Sequence, residues 1–180
     1  MSAPDVVRLE RGHLEAVRAF LNGLPEEDAT FIKEDVRNPS VAEGWCGGGD
    51  PARRLVALDG DRIAGIVSVV PLVGWSSHVG ELRLVVSPEA RGRGLGRELA
   101  RRALQEAVDL GLSKVVVEVV AEQEHAIRMF DDLGFRAEAL LQRHIRDRHG
   151  GLRDLVVLAH AVDEEWSSMA SLGIEEDLGR

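Results

Sequence analysis

No tyrosine occurs among the 180 residues, so no phenol can give or take a proton anywhere in the chain. A single cysteine, Cys46, excludes an intrachain disulfide and any zinc site assembled from cysteines. Positive charge is in deficit, with 22 Lys and Arg against 31 Asp and Glu and a formal net charge of −9. That balance argues against general nucleic-acid binding, which needs a broad basic surface to release counterions. No uncharged apolar run approaches ~18 residues, so no membrane-spanning helix is expected. The opening MSAPDVVRLERG lacks a basic region followed by an apolar core, so no secretory signal is read and the cytoplasm is the expected compartment.

What is present is an ordinary globular composition, 44% hydrophobic and 29% charged, on a length that suits one domain with its own core. The acid is concentrated in PEEDATFIKED, residues 25–35, and in the tail from Asp163 onward. Both read as solvated surface; the alternative is that one of them attracts a cationic substrate such as a lysine side chain.

Periodicity predicts the elements in order. VVRLE at 6–10 alternates as a short strand, and 12–24 carries a helical apolar stripe that ends at Pro25. A second, acidic helix is expected over 25–37. The Gly- and Pro-rich stretch 38–52 reads as a loop near the substrate. Two apolar runs around Asp59-Gly60-Asp61 predict a hairpin, and GELRLVVSP at 80–88 predicts a strand closed by Pro88. A helix over 94–110 buries Leu95, Leu99, Ala103, Ala107 and Leu110, and the nearly all-apolar strand KVVVEVVAE follows at 114–122. A short amphipathic helix ends at Gly134, and strands over 136–147 and 152–162 flank His149-Gly150-Gly151. This order predicts one α/β domain over 1–162, a mixed twisted sheet of about six to seven strands with about four helices. An acidic tail, 163–180, follows.

One segment departs from the acidic average. In VVSPEARGRGLGRELARRAL, residues 85–104, five arginines fall within twelve positions, and Gly92, Gly94 and Gly96 precede the helical run. Strand, helix and next strand form a βαβ unit whose right-handed crossover makes the strands parallel. Ligands of such units collect beyond the carboxyl ends of the strands. A helix N-terminus there offers unpaired N–H groups and partial positive charge, which suit phosphate. The glycines let backbone approach an anion with no Cβ between, and Arg91, Arg93 and Arg97 add charge-assisted bonds. The reading is a pyrophosphate. A nucleoside triphosphate loop would need Gly-Lys-Ser or Gly-Lys-Thr, and a dinucleotide fingerprint would need Gly at position 97, which is Arg.

The pattern that fits is Arg91-x-x-Gly94-x-Gly96. It resembles the acetyl-coenzyme A loop of the GNAT superfamily of N-acetyltransferases, (Gln or Arg)-x-x-Gly-x-(Gly or Ala). AIRMFDDLGF is similar to a second family segment, Ala-Ile-x-x-Tyr-x-x-x-Gly-Phe, matched at Ala126, Ile127, Gly134 and Phe135. The resemblance is tight over 80–136 and loose elsewhere. It implies direct acetyl transfer from acetyl-CoA to an amine, with no metal, on a GNAT-type sheet with a V-shaped split between its two central parallel strands. In that split, backbone groups of Leu84, Val85 and Val86 would bond the pantetheine arm. The N–H groups of Gly92, Arg93, Gly94, Leu95, Gly96 and Arg97 would hold the pyrophosphate. Gln123, in place of the family's helix-start Asn, Ala126 and Phe130 complete the implied coenzyme site. Phe130 replaces the usual Tyr; it keeps the ring but gives no proton. The thiolate, with a reference pKa of ~8.5, would leave as such or take a proton from water.

An alkylammonium acceptor has a reference pKa of ~10.4 and needs a base near neutral pH. Two carboxylates compete for that role. Glu81 lies ten residues before Arg91, the spacing of bacterial Pat-type protein lysine acetyltransferases. Glu118, inside VVVEVV, matches the position of a Glu in ribosomal-protein N-terminal acetyltransferases. Glu81 is favoured, and with the acidic patches it favours a protein lysine or N-terminus as acceptor. The alternatives are a small-molecule amine (amino acid, polyamine or aminoglycoside) and an acyl-CoA-binding sensor that lost catalysis with the tyrosine. A closed pocket built by residues 25–50 would favour the small molecule, and an open groove a peptide. Cys46 reads as a free loop thiol, His144 and His149 as too divergent for a metal pair, and His78 and His125 as surface histidines. Monomer and homodimer both stay open.

Overall fold

The computed structural model describes residues 4–49 and 51–162. The acidic tail expected over 163–180 lies outside the described residues. In chain order the elements are β1 (Asp5–Arg8), α1 (Leu14–Gly23), α2 (Glu26–Thr30), α3 (Pro39–Gly47), β2 (Arg53–Asp59), β3 (Arg62–Pro71), β4 (Val79–Val86), α4 (Leu95–Asp109), β5 (Lys114–Val120), α5 (Glu124–Asp132), β6 (Arg136–Arg146) and β7 (Leu152–Ala161). They build one mixed seven-stranded sheet in the order β1-β2-β3-β4-β5-β7-β6. β4 and β5 run parallel, and the other neighbours are antiparallel.

Strand alternation divides the core in two, because successive side chains point to opposite faces. Leu55, Ala57, Val67 and Val69 pack with α4, whereas Val56 and Ile66 pack with α1 and α3. The helix α4 contributes Leu95, Leu99, Ala100, Ala103, Leu104 and Ala107, the face its three-and-four spacing predicts; Leu110, at its end, is only partly buried. The strand β5 departs from its expected two-sided burial. Val115, Val117 and Val119 are buried under α4, while Val116 is partly buried and Glu118 exposed.

Two local expectations fail. The stretch over 38–52 is not a loop: residues 39–47 form α3, a fifth helix. Asn38 caps it, its side chain accepting from the Ser40 N–H at 3.0 Å, and Pro39 supplies a preset φ in the first turn. Ala42 and Cys46, four residues apart, are buried against α1. Cys46 is therefore a core residue and not a loop thiol, and burial pushes its thiol pKa up. The acidic helix expected over 25–37 stops at Thr30, and the chain turns through 31–38. Arg37 anchors that turn by donating to the carbonyls of Leu21, Asn22 and Leu24 at 2.7, 2.9 and 2.8 Å. Asn38→Ala is expected to remove the cap of α3 and cost about 1 kcal/mol. For a domain of this size a thermal melt should read that loss as a fall of about 2–4 °C in Tm.

The feature that positions the site is a parting of strands. β4 and β5 pair only over Val79–Leu82 and Lys114–Val117. Both continue beyond that point, β4 along β3 as far as Val86 and β5 along β7 as far as Val120. The two parallel strands thus diverge after Leu82 and Val117, which is the V-shaped split.

Candidate active site

The split opens into a cavity of about 1110 Å³. One wall is the end of β4, Leu84, Val85 and Val86, whose split-facing edge no longer pairs with β5. An unpaired strand edge presents N–H and C=O groups that an extended ligand can bond as a further strand would. The opposite wall comes from the start of α5, with Gln123, Ala126, Met129 and Phe130. Phe130 is 2% exposed and meets the Phe135 ring edge-on, with centroids 5.1 Å apart. Its ring is therefore a rigid, packed part of the wall. Gln123 precedes α5 without capping it through its side chain.

At the far end lies the glycine loop. Gly92 and Gly94 have φ of 72° and 81°, and Gly94 is the residue from which the 15-residue α4 starts. A Cβ added at either position would meet nothing within 4 Å. The space beside both glycines is thus open at the positive end of a long helix, whose first N–H groups have no partner within it, an arrangement suited to an anion. Leu95 is 7% exposed and its side chain belongs to the core, so only its backbone serves this loop. Arg91 and Arg97 line the cavity, and each holds a carboxylate: Arg91 pairs with Asp28 and donates to the Val86 carbonyl at 3.1 Å, and Arg97 pairs with Asp132. Arg93, expected beside them, is exposed and lies outside the cavity lining.

The two candidate bases meet where the strands part. Glu81, on the paired stretch of β4, is 7% exposed, with Oε1 2.7 Å from Lys33 Nζ and Oε2 3.0 Å from Arg83. Burial pushes its carboxyl up, but the hydrogen bonds and charges of Arg83 and Lys33 outweigh that and hold it below the usual carboxylate range. A carboxyl depressed in the folded state stabilises the fold above its unfolded pKa and loses that contribution as pH falls through the folded value. Glu118 is the first residue of β5 beyond the last pair with β4. Its side chain is 31% exposed, and Lys33 Nζ lies 2.9 Å away. Arg83 is held in turn by Glu34. Burial lowers the Lys33 pKa, and its bonds to Glu81 and Glu118 more than restore it, leaving the ammonium above its ordinary value.

Sequence reasoning missed Lys33. It stands as a single base among five acids in 25–35, and that contrast was the available signal. Only the chain reversal after α2 carries it onto the two strands. His125 and His144 line the cavity, whereas His78 does not. Among the described residues, no three His, Cys, Asp or Glu side chains converge as a metal would require.

A family model described as the acetyltransferase (GNAT) family matches residues 18–135. The chain belongs to that family. This GNAT chain is similar to a mycothiol acetyltransferase from Arthrobacter sp., 34% identical over 130 residues, covering 70% of this chain and 39% of the relative. It therefore spans about two fifths of that relative's length. Two solved structures share its fold. One is a putative acetyltransferase from Salmonella typhimurium with its cofactor acetyl-CoA (TM-score 0.74, 22% identity, 91% of this chain and 96% of that one). The other is spermidine N-acetyltransferase from Vibrio cholerae in complex with CoA and spermine (TM-score 0.72, 21% identity, 87% and 94%). Among its described residues, this GNAT chain has no helix long and apolar enough to cross a membrane.

Proposed function

We propose that the chain transfers the acetyl group of acetyl-CoA to the primary amine of a small cationic molecule. The observation that carries this reading is the convergence of Glu81 and Glu118 on one ammonium group where the strands part. Acetyl-CoA suits the rest of the cleft. The unpaired β4 edge offers bonds to an amide-bearing arm, and the glycine loop leaves space beside its N–H groups for a pyrophosphate. The coenzyme supplies the thioester whose carbonyl carbon the amine attacks. The chain's own residues orient and deprotonate.

Leu84, Val85 and Val86 align the arm through their backbone. The N–H groups from Gly92 to Arg97 hold the phosphates, with Arg91 and Arg97 in reach once their carboxylate partners, Asp28 and Asp132, exchange. The exposed Arg97–Asp132 pair is worth at most about 1 kcal/mol, so its exchange costs little. Glu81, kept ionised by Arg83, holds the acceptor's ammonium form. Glu118 has Lys33 as its ion-pair partner among the described residues and no arginine, so it is the better proton acceptor. Phe130 gives no proton, and the thiolate departs as such or is protonated by water. The cytoplasm, which supplies acetyl-CoA, is the setting this reading implies.

Two observations favour a small acceptor. Residues 28, 30–34 and Trp45 line the cavity, so the segment 25–50 supplies one of its walls. Mycothiol and spermidine, named in the similar acetyltransferases, are small molecules. A protein lysine is the second reading, supported by the Glu81 spacing and by the fit of one lysine side chain, that of Lys33, between the carboxylates. The test is thiol release from acetyl-CoA with spermidine, amino acids, an aminoglycoside and lysine peptides. Small polyamines are expected to give the highest kcat/KM. Faster turnover of lysine peptides would select the second reading, and coenzyme binding without release for any amine would mark a sensor.

A further inference from the structure

Lysine is scarce here: Lys33 and Lys114 stand against twenty arginines. Lys114 pairs with Glu138 at the start of β5, away from the cleft. Lys33 instead projects from the turn after α2 and places its ammonium 2.7 Å from Glu81 and 2.9 Å from Glu118. A primary alkylammonium held by those two carboxylates is chemically an acceptor before transfer. We propose that Lys33 is an internal occupant of the acceptor's ammonium site, which the acceptor must displace, and that this exchange selects cationic amines. The inference rests on the reading that Glu81 and Glu118 receive the acceptor.

Three observations support displacement. A base must lie within about 2.6–3.2 Å of the group it deprotonates, and Lys33 already fills that distance at both carboxylates. Lys33 can leave, since its side chain is 44% exposed and springs from turns instead of a helix or strand. Arg83 differs: it is 30% exposed and bridges Glu81 to Glu34, so it stays behind and keeps Glu81 ionised. The exchange also discriminates by charge. An incoming ammonium replaces one cation by another, whereas a neutral amine would leave Glu118 without a cation and Glu81 with Arg83 alone in a partly buried cleft, which is costly. Arginine would serve less well as a removable occupant, because its planar fork binds carboxylates in pairs and holds them.

Lys33→Met tests the exchange. With the competitor gone, KM for a cationic amine should fall about tenfold, the equivalent of one charged hydrogen bond, while KM for acetyl-CoA stays put. The variant's amine KM should also rise steeply with salt, because a cation now meets an unpaired Glu118 beside the Arg83-bound Glu81; in the wild type the exchange is charge-neutral and nearly salt-independent. Lys33→Arg should restore a high KM. An unchanged or raised amine KM in Lys33→Met would overturn the proposal. The wild-type protein offers a second readout that needs no variant and no turnover. Saturation with N,N-dimethylbutylammonium, which cannot be acetylated, should raise labelling of Lys33 by an amine-reactive reagent several-fold relative to Lys114, as read by peptide mass. Constant or reduced Lys33 labelling sinks the idea. Failure of the proposed acetyl transfer is seen separately, as a wild-type protein that releases no thiol with any amine.

Discussion

Gly94→Val is expected to abolish acetyl-CoA binding in a protein that still folds. Gly94 has φ of 81°, so a residue with a Cβ there carries about 1–2 kcal/mol of left-handed strain. A Cβ at this position meets nothing within 4 Å, so backbone strain is the main cost to the fold. A melt should therefore move by only several degrees. A pyrophosphate on the N–H groups at the start of α4 would occupy the space the valine takes. Loss of two charge-assisted hydrogen bonds, at about 1.5–3 kcal/mol each, corresponds to a fall in affinity of about 10²–10⁴-fold. Calorimetric titration with coenzyme A and a melt on the same sample separate the two effects. Affinity within threefold of wild type would place the phosphates elsewhere. Gly94→Ala, with a smaller intrusion, should fall between.

The second large effect is on turnover. Glu118→Gln should lower kcat by about 10²–10⁴ near neutral pH, the usual contribution of a positioned general base. The deficit should shrink toward pH 10, because an acceptor with a reference pKa of ~10.4 then supplies its own neutral form. Glu81→Gln should act differently. Its carboxyl is held below the ordinary range by Arg83 and Lys33 against the opposing effect of burial, which makes it a weak proton acceptor but a persistent anion. Its loss should raise the acceptor's KM more than it lowers kcat. Rate against pH for both variants decides the assignment. A pH-dependent kcat loss confined to Glu81→Gln would return the role of base to that residue, and a loss in Glu118→Gln that ignores pH would remove it from proton transfer.

The legible parts of the site were those written in local pattern. Arg91-x-x-Gly94-x-Gly96 after a strand and before a helical stripe marked the proposed anion loop, and Gly94 has a positive φ at the start of the helix. The apolar stripe of α4 named its buried face because a helix repeats every 3.6 residues. Where composition and cap signals conflicted, composition misled. The glycines of 44–49 read as loop, although Asn38-Pro39 is a helix start and Ala42 and Cys46 share a face.

By itself the sequence determined the α/β order, the βαβ unit around the glycine loop and the family to which the loop belongs. These rest on interactions between residues close in the chain: hydrogen bonds within a turn, side chains three or four apart, a capped helix start. Only the tertiary structure decided what surrounds the two carboxylates. It buried Glu81, turned Glu118 to the cleft, sent Arg93 outward and brought Lys33 across 48 residues of chain to Glu81 and 85 to Glu118. Charge carries no period along a sequence, and a long side chain's partner depends on how distant segments pack. The proposed acceptor site is made almost wholly of such contacts.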